Sequence, residues 1–151
     1  MGNYTSQQLG RKVRILEKIL LMLTVIENEI KYLNRPSDEL ISRLTQTKEL
    51  AGLDFLPVCL SYLQQNFPID RAWCKALSEA AYIDGETAGI LMSFAQGFGK
   101  TDTEGQISNC RYHSELIRER LCIARKKRDK YSSLAGGLGI LAGIGIIIIL
   151  I

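Results

Sequence analysis

From Leu134 to Ile151 the chain runs for 18 residues without a charge or a hydrogen-bonding side chain: seven Ile, four Leu, two Ala and five Gly. Such a segment must be covered on every side by protein or surrounded by lipid. As a helix it reaches about 27 Å, against a hydrocarbon thickness of about 30 Å, so it is long enough to span with little tilt. The competing reading, a buried Ile-rich core element, needs both faces covered by a domain that shows no β pattern elsewhere. Residues 132–151 are therefore expected to form a C-terminal transmembrane helix and residues 1–131 a separate helical domain. The whole-chain mean hydropathy of +0.04 is a sum of unlike parts. Without the run it falls to roughly −0.3, a soluble domain's value.

The flank of the run supports this reading. Between Arg118 and Lys130 lie seven basic and two acidic side chains, whereas residues 1–117 hold 12 basic and 14 acidic ones. The net charge of +3 thus reports one local cluster, and a nucleic-acid-binding surface spread over the fold is excluded. Arg125, Lys126, Lys127, Arg128 and Lys130, followed by Tyr131, have the form of a cytoplasmic-side basic flank with an aromatic ring at headgroup level. Residues 1–130 are then expected on the cytoplasmic side. Ala135, Gly139 and Gly143 fall four apart, a small-xxx-small face on which another transmembrane helix can pack closely.

Helical spacing dominates the remainder. Leu9, Val13, Leu16, Leu20, Leu23, Ile26, Ile30 and Leu33 recur at intervals of three and four, which predicts one amphipathic helix over residues 7–33. Ser37 is read as the cap of a second helix with Leu40, Ile41, Leu44 and Leu50 inside, ended by Gly52. Asp54 opens a third helix, closed by Asn66-Phe67-Pro68. Asp70 caps a fourth, with Trp73, Leu77, Ala80 and Ala81 on one face, and a fifth runs from about Glu86 to Phe98. Thr101 to Glu104 has the S/T-x-x-E form of a capping box and starts a long sixth helix with Ile107, Cys110, Ser114, Ile117, Leu121 and Ala124 inside. The expectation is an all-α fold: a six-helix antiparallel bundle in which two long outer helices pair and four short ones form a compact cap, followed by the transmembrane helix.

No constellation for chemistry emerges. Cys59, Cys74, Cys110 and Cys122 contain no CxxC pair and read as reduced, buried thiols. His113, the single histidine, is expected at the surface or its boundary and has no triad partners. Gly97-Phe98-Gly99-Lys100-Thr101 imitates a phosphate loop, but Phe94 stands where the pattern needs glycine and helical spacing stands where it needs a strand. Neither an enzyme, a cofactor nor a small-molecule substrate is expected.

Several short matches fall in one order. Glu29-Ile30 with Tyr32, then Pro36 and Leu40, then Phe94-x-x-Gly97-x-Gly99-x-x-Asp102-x-x-x-Gln106, and finally Lys130-Tyr131-Ser132-Ser133-Leu134 running into Gly136-Gly137-Leu138 resemble stage III sporulation protein AB. The resemblance spans about residues 10–151 and implies a membrane protein of endospore-forming bacteria, belonging to the channel between mother cell and forespore. It further implies a cytoplasmic domain, facing the mother cell, similar to those of type II secretion and type IV pilus inner-membrane platform proteins, and work alongside the AA-type secretion ATPase of the same system. The chemistry would then be the partner's. Asp102 and Glu104, at a membrane-distal turn, are the expected contacts with it. The family pattern usually begins with a transmembrane helix, whereas Met1 to Leu9 is polar. Either such a span precedes this start, giving two spans in all, or this member is anchored by its tail alone. The alternative from another class is a tail-anchored adaptor that binds an anionic membrane surface and has no link to secretion.

Overall fold

A computed structural model describes the backbone of residues 2–33 and 36–150 and the side chains of residues 6–33 and 36–131. The described residues form six α-helices and no strand: α1 (Gly2–Tyr32), α2 (Ser37–Gln46), α3 (Phe55–Gln64), α4 (Ile69–Ser78), α5 (Gly85–Gly97) and α6 (Thr103–Leu150), with a 3₁₀ turn at Lys48–Leu50 after α2. Among the residues whose side chains are described, no helical stretch is long and apolar enough to cross a membrane. The expected span over 132–151, with Ala135, Gly139 and Gly143, lies outside the described side chains.

The two long helices pair as an antiparallel hairpin, and ion pairs fix their register. Glu27 meets Arg111 at 3.4 Å and Glu17 meets Arg125 at 3.9 Å. Leu20 lies by Leu121, and Leu9 by Tyr131. Facing residue numbers therefore add to about 140 along the whole hairpin. Val13, Leu16, Ile19, Leu23, Ile26 and Ile30 of α1, and Cys110, Ile117, Leu121 and Ala124 of α6, are buried along it. Leu33, expected to complete the α1 stripe, is 52% exposed because the helix has already ended at Tyr32.

The short helices do not cap the hairpin. They lie along its flank: Lys18 Nζ donates to the carbonyl of Ala51, Lys12 pairs with Asp84 at 3.1 Å, and Arg120 pairs with Glu86. What holds the short helices to one another is an aromatic centre. Trp73, fully buried, lies 5.1 Å edge-on from Phe55 and 5.6 Å from Phe94, and Phe98 stacks at 6.3 Å. Large rings at these separations bury much apolar area and add edge-to-face attraction.

Helix ends follow local chemistry and correct four sequence expectations. Pro36, extended, precedes α2, so Ser37 is the first helical residue and makes no capping bond. The helix also stops short of Gly52, because Thr47 is extended and the 3₁₀ turn intervenes before Gly52 adopts φ +107°. Asp70 is likewise one residue inside α4, after Pro68. The sixth helix is capped by Asp102 and not by Thr101: the Gly105 amide donates to Asp102 Oδ1 at 2.8 Å. Asp84, just before the residue at which the fifth helix was expected to start, caps α5 by accepting from the Thr87 amide at 2.7 Å. At the end of α3, Asn66 takes φ +70°, its amide bonds to Leu63 O, and the Phe67 amide bonds to Tyr62 O. This is a Schellman motif, and its customary apolar contact is the Tyr62–Phe67 ring pair at 5.2 Å.

Candidate functional site: the two ends of the hairpin

At the end where α1 begins, Leu9, Lys127, Lys130 and Tyr131 line one shallow apolar gap. This end, the base, holds the basic flank expected from the sequence. Arg125, Lys126, Lys127 and Lys130 are exposed. Arg128 is half-buried, with its Nε 3.2 Å from Asp129.

Pairing adds basic residues that the sequence reading passed over. Arg11, Lys12, Arg14 and Lys18 of α1 lie beside the α6 cluster through the register above. Segments 1–20 and 118–131 together contain eleven basic and three acidic side chains, while residues 21–117 contain eight basic and thirteen acidic. Asp84 and Glu86 reach the base from α5 and pair with Lys12 and Arg120, which leaves the base strongly positive. The signal was present in the spacing: Arg11, Arg14 and Lys18 recur at three and four, one face of a helix. Burial pushes the Asp84 carboxyl up, but the Thr87 and Lys12 hydrogen bonds outweigh it and hold it below its ordinary 3.8.

The opposite end is acidic for a structural reason. Asp70 pairs with Lys100 at 3.1 Å, and Ser37 Oγ approaches Gly99, so the Gly99-Lys100 turn sits where α2, α4 and α6 all begin. Helix starts favour carboxylates, and Asp38, Glu39, Asp70, Asp102 and Glu104 supply them. The Lys100 hydrogen bond holds Asp70 below the usual carboxylate range. Lys100 is thereby engaged by a carboxylate in the imitation of a phosphate loop. Asp102 and Glu104 are exposed here, about 37 Å along α6 from the basic flank.

His113 and two of the cysteines serve packing. His113 is buried, 4% exposed, contrary to the expectation of a surface position. Its Nδ1 lies 2.8 Å from the Asn109 carbonyl, which can only accept, so Nδ1 donates, and Nε2 shares a hydrogen bond with Ser93 Oγ at 3.2 Å. The ring stands edge-on to Phe94 at 5.7 Å, an aromatic contact that accounts for its burial. Cys59 and Cys110 are buried, with thiols pushed up to about 12 by burial, Cys74 is intermediate, and Cys122 is exposed, correcting the expectation that all four are buried. Among the described residues no group of three or more His, Cys, Asp and Glu could hold a metal ion.

The fold and its charges define an all-helical bundle built on one long antiparallel hairpin, with a basic base and an acidic far end. The chain belongs to the stage III sporulation protein AB family, whose model matches residues 1–151, the whole chain. Membership implies a role in stage III of sporulation. No curated protein and no solved structure matches the chain.

Proposed function

We propose that the chain is a non-enzymatic, membrane-anchored subunit of the channel complex between mother cell and forespore, and that it serves as a secretion-platform-like partner of the AA-type ATPase. In this reading residues 132–151 span the membrane, residues 1–131 face the mother-cell cytoplasm, and Gly139 and Gly143 meet another transmembrane helix.

The observation that carries the reading is the polarity of charge along the hairpin. The basic base is the end from which the chain leads into the apolar run that begins at Leu134, as a cytoplasmic flank requires. The acidic far end stands about 37 Å away, within reach of a soluble motor, and its exposed Asp102 and Glu104 suit a basic surface. Family membership gives the sporulation context.

The test is retention of the AA-type ATPase by the full chain in membranes, with Asp102→Asn and Glu104→Gln combined. Both side chains keep their shape and an acceptor oxygen while losing charge. Retention is expected to fall several-fold, and unchanged retention with a folded domain sinks this siting of the partner.

A further inference from the structure

The turn between α4 and α5 carries an exposed aromatic ring at an unexpected height. Tyr82 is 56% exposed, and the Arg11 guanidinium lies 4.5 Å over its ring. Residues Ala81 to Asp84 share one open cavity with Gln8, Arg11 and Lys12 of α1. The turn therefore descends as far as Gln8, one residue beyond Leu9, and Leu9 itself lies by Tyr131, shortly before the apolar run begins at Leu134. Two tyrosines, one on α6 and one on a turn some 50 residues earlier in sequence, thus stand at one level of the hairpin.

The charges at that level are mostly positive. Among the described residues Arg11, Lys12, Arg14, Lys126, Lys127, Arg128 and Lys130 outnumber the nearby Asp84, Asp129 and Glu17, which engage Lys12, Arg128 and Arg125. An amphipathic ring amid lysines and arginines is the side-chain chemistry of a headgroup layer, where the ring sits at the boundary and the cations meet anionic lipid.

We propose that the turn Ala81-Tyr82-Ile83 is a second membrane contact, which with Arg11, Arg14, Lys127 and Lys130 seats the base of the domain on an anionic lipid surface. The inference rests on the membrane anchorage proposed above and adds a fixed orientation to it. A single span lets a domain swivel and tilt. A contact displaced from the span, at the turn beside Arg11 and Lys12, holds the hairpin upright and presents the acidic end at a constant height.

The experiment uses the full chain reconstituted in vesicles of phosphatidylcholine with or without phosphatidylglycerol. Tyr82→Cys, in a Cys74→Ser and Cys122→Ser background, carries an environment-sensitive fluorophore, and Glu39→Cys at the acidic end is the reference. Quenching by a headgroup spin-labelled lipid is expected to be several-fold stronger at position 82 than at position 39 when phosphatidylglycerol is present. It is expected to drop toward the reference value in pure phosphatidylcholine, and also when Arg14, Lys127 and Lys130 are replaced by Ser, while the chain still floats with the vesicles. Equal quenching at both positions in floating chain overturns the contact and leaves the anchorage standing. Strong quenching at 82 in both lipids overturns anionic recognition. Chain that fails to float overturns the anchorage and this inference with it.

Discussion

The indole nitrogen of Trp73 donates a hydrogen bond to the main-chain carbonyl of Leu91 across 2.8 Å of buried interior. That bond ties α4 to α5 at the centre of the Phe55, Phe94 and Phe98 cluster, and it satisfies the one polar atom of a fully buried ring. Trp73→Ala is expected to destabilise the bundle by about 3–5 kcal/mol, since transfer and cavity costs add. Trp73→Phe, which keeps a ring and gives up volume and the donor, should cost less. Urea unfolding followed by circular dichroism measures both, and an alanine variant as stable as the parent would contradict the central role of this ring.

Asp84 gives the domain a pH-dependent support. Its carboxyl lies below 3.8 when folded, because the Thr87 and Lys12 hydrogen bonds outweigh burial, so folding favours its charged form. The contribution is therefore fully present above 3.8 and is lost as pH falls through the lower folded value. Asp84→Ala removes the cap of α5 and should cost about 1 kcal/mol at neutral pH, while Asp84→Asn, still a good cap, should cost less. The gap between parent and Asp84→Ala should close when thermal unfolding is repeated at strongly acid pH. A gap of constant size would mean that the carboxylate's charge has no part in the cap.

Periodicity was legible where burial is decided by one helix against one neighbour. Val13, Leu16, Ile26, Ile117 and Leu121 were placed inside by spacing alone, and all are buried. Capping was less legible by a residue or two, since Thr101 and Asp102 are both good caps and only the chain path chose Asp102. The base was half legible. The α6 cluster is contiguous in sequence, but Arg11, Arg14 and Lys18 are dispersed among apolar residues and join it only through the antiparallel register. The level of Tyr82 was not legible at all, because it depends on the direction taken by two short helices.

Thiol chemistry offers a check on the packing of the hairpin. Cys110 is buried against α1 with its thiol at about 12, and Cys122, three turns further along α6, is exposed. At pH 8 a thiol of that value is about one part in ten thousand thiolate, before access is considered. Mass spectrometry after brief maleimide treatment of the folded chain should find Cys122 modified first, and Cys59 and Cys110 only after denaturant is added. Early modification of Cys110 would mean that α1 and α6 separate readily.

Substitutions at Asp102 can separate its two roles. As a cap, it needs an oxygen acceptor 2.8 Å from the Gly105 amide, which asparagine supplies and alanine does not. As a docking charge for a basic partner, it needs the negative charge, which both variants remove. Asp102→Ala is therefore expected to lose about 1 kcal/mol of stability and Asp102→Asn only a few tenths. ATPase retention should fall to a similar degree in both, and raising the salt concentration should weaken the parent toward the variants, as screening of an exposed charge demands. If Asp102→Asn instead retains the ATPase as the parent does and only Asp102→Ala loses it, the side chain acts through the first turn of α6 and the docking charge lies elsewhere on the acidic end.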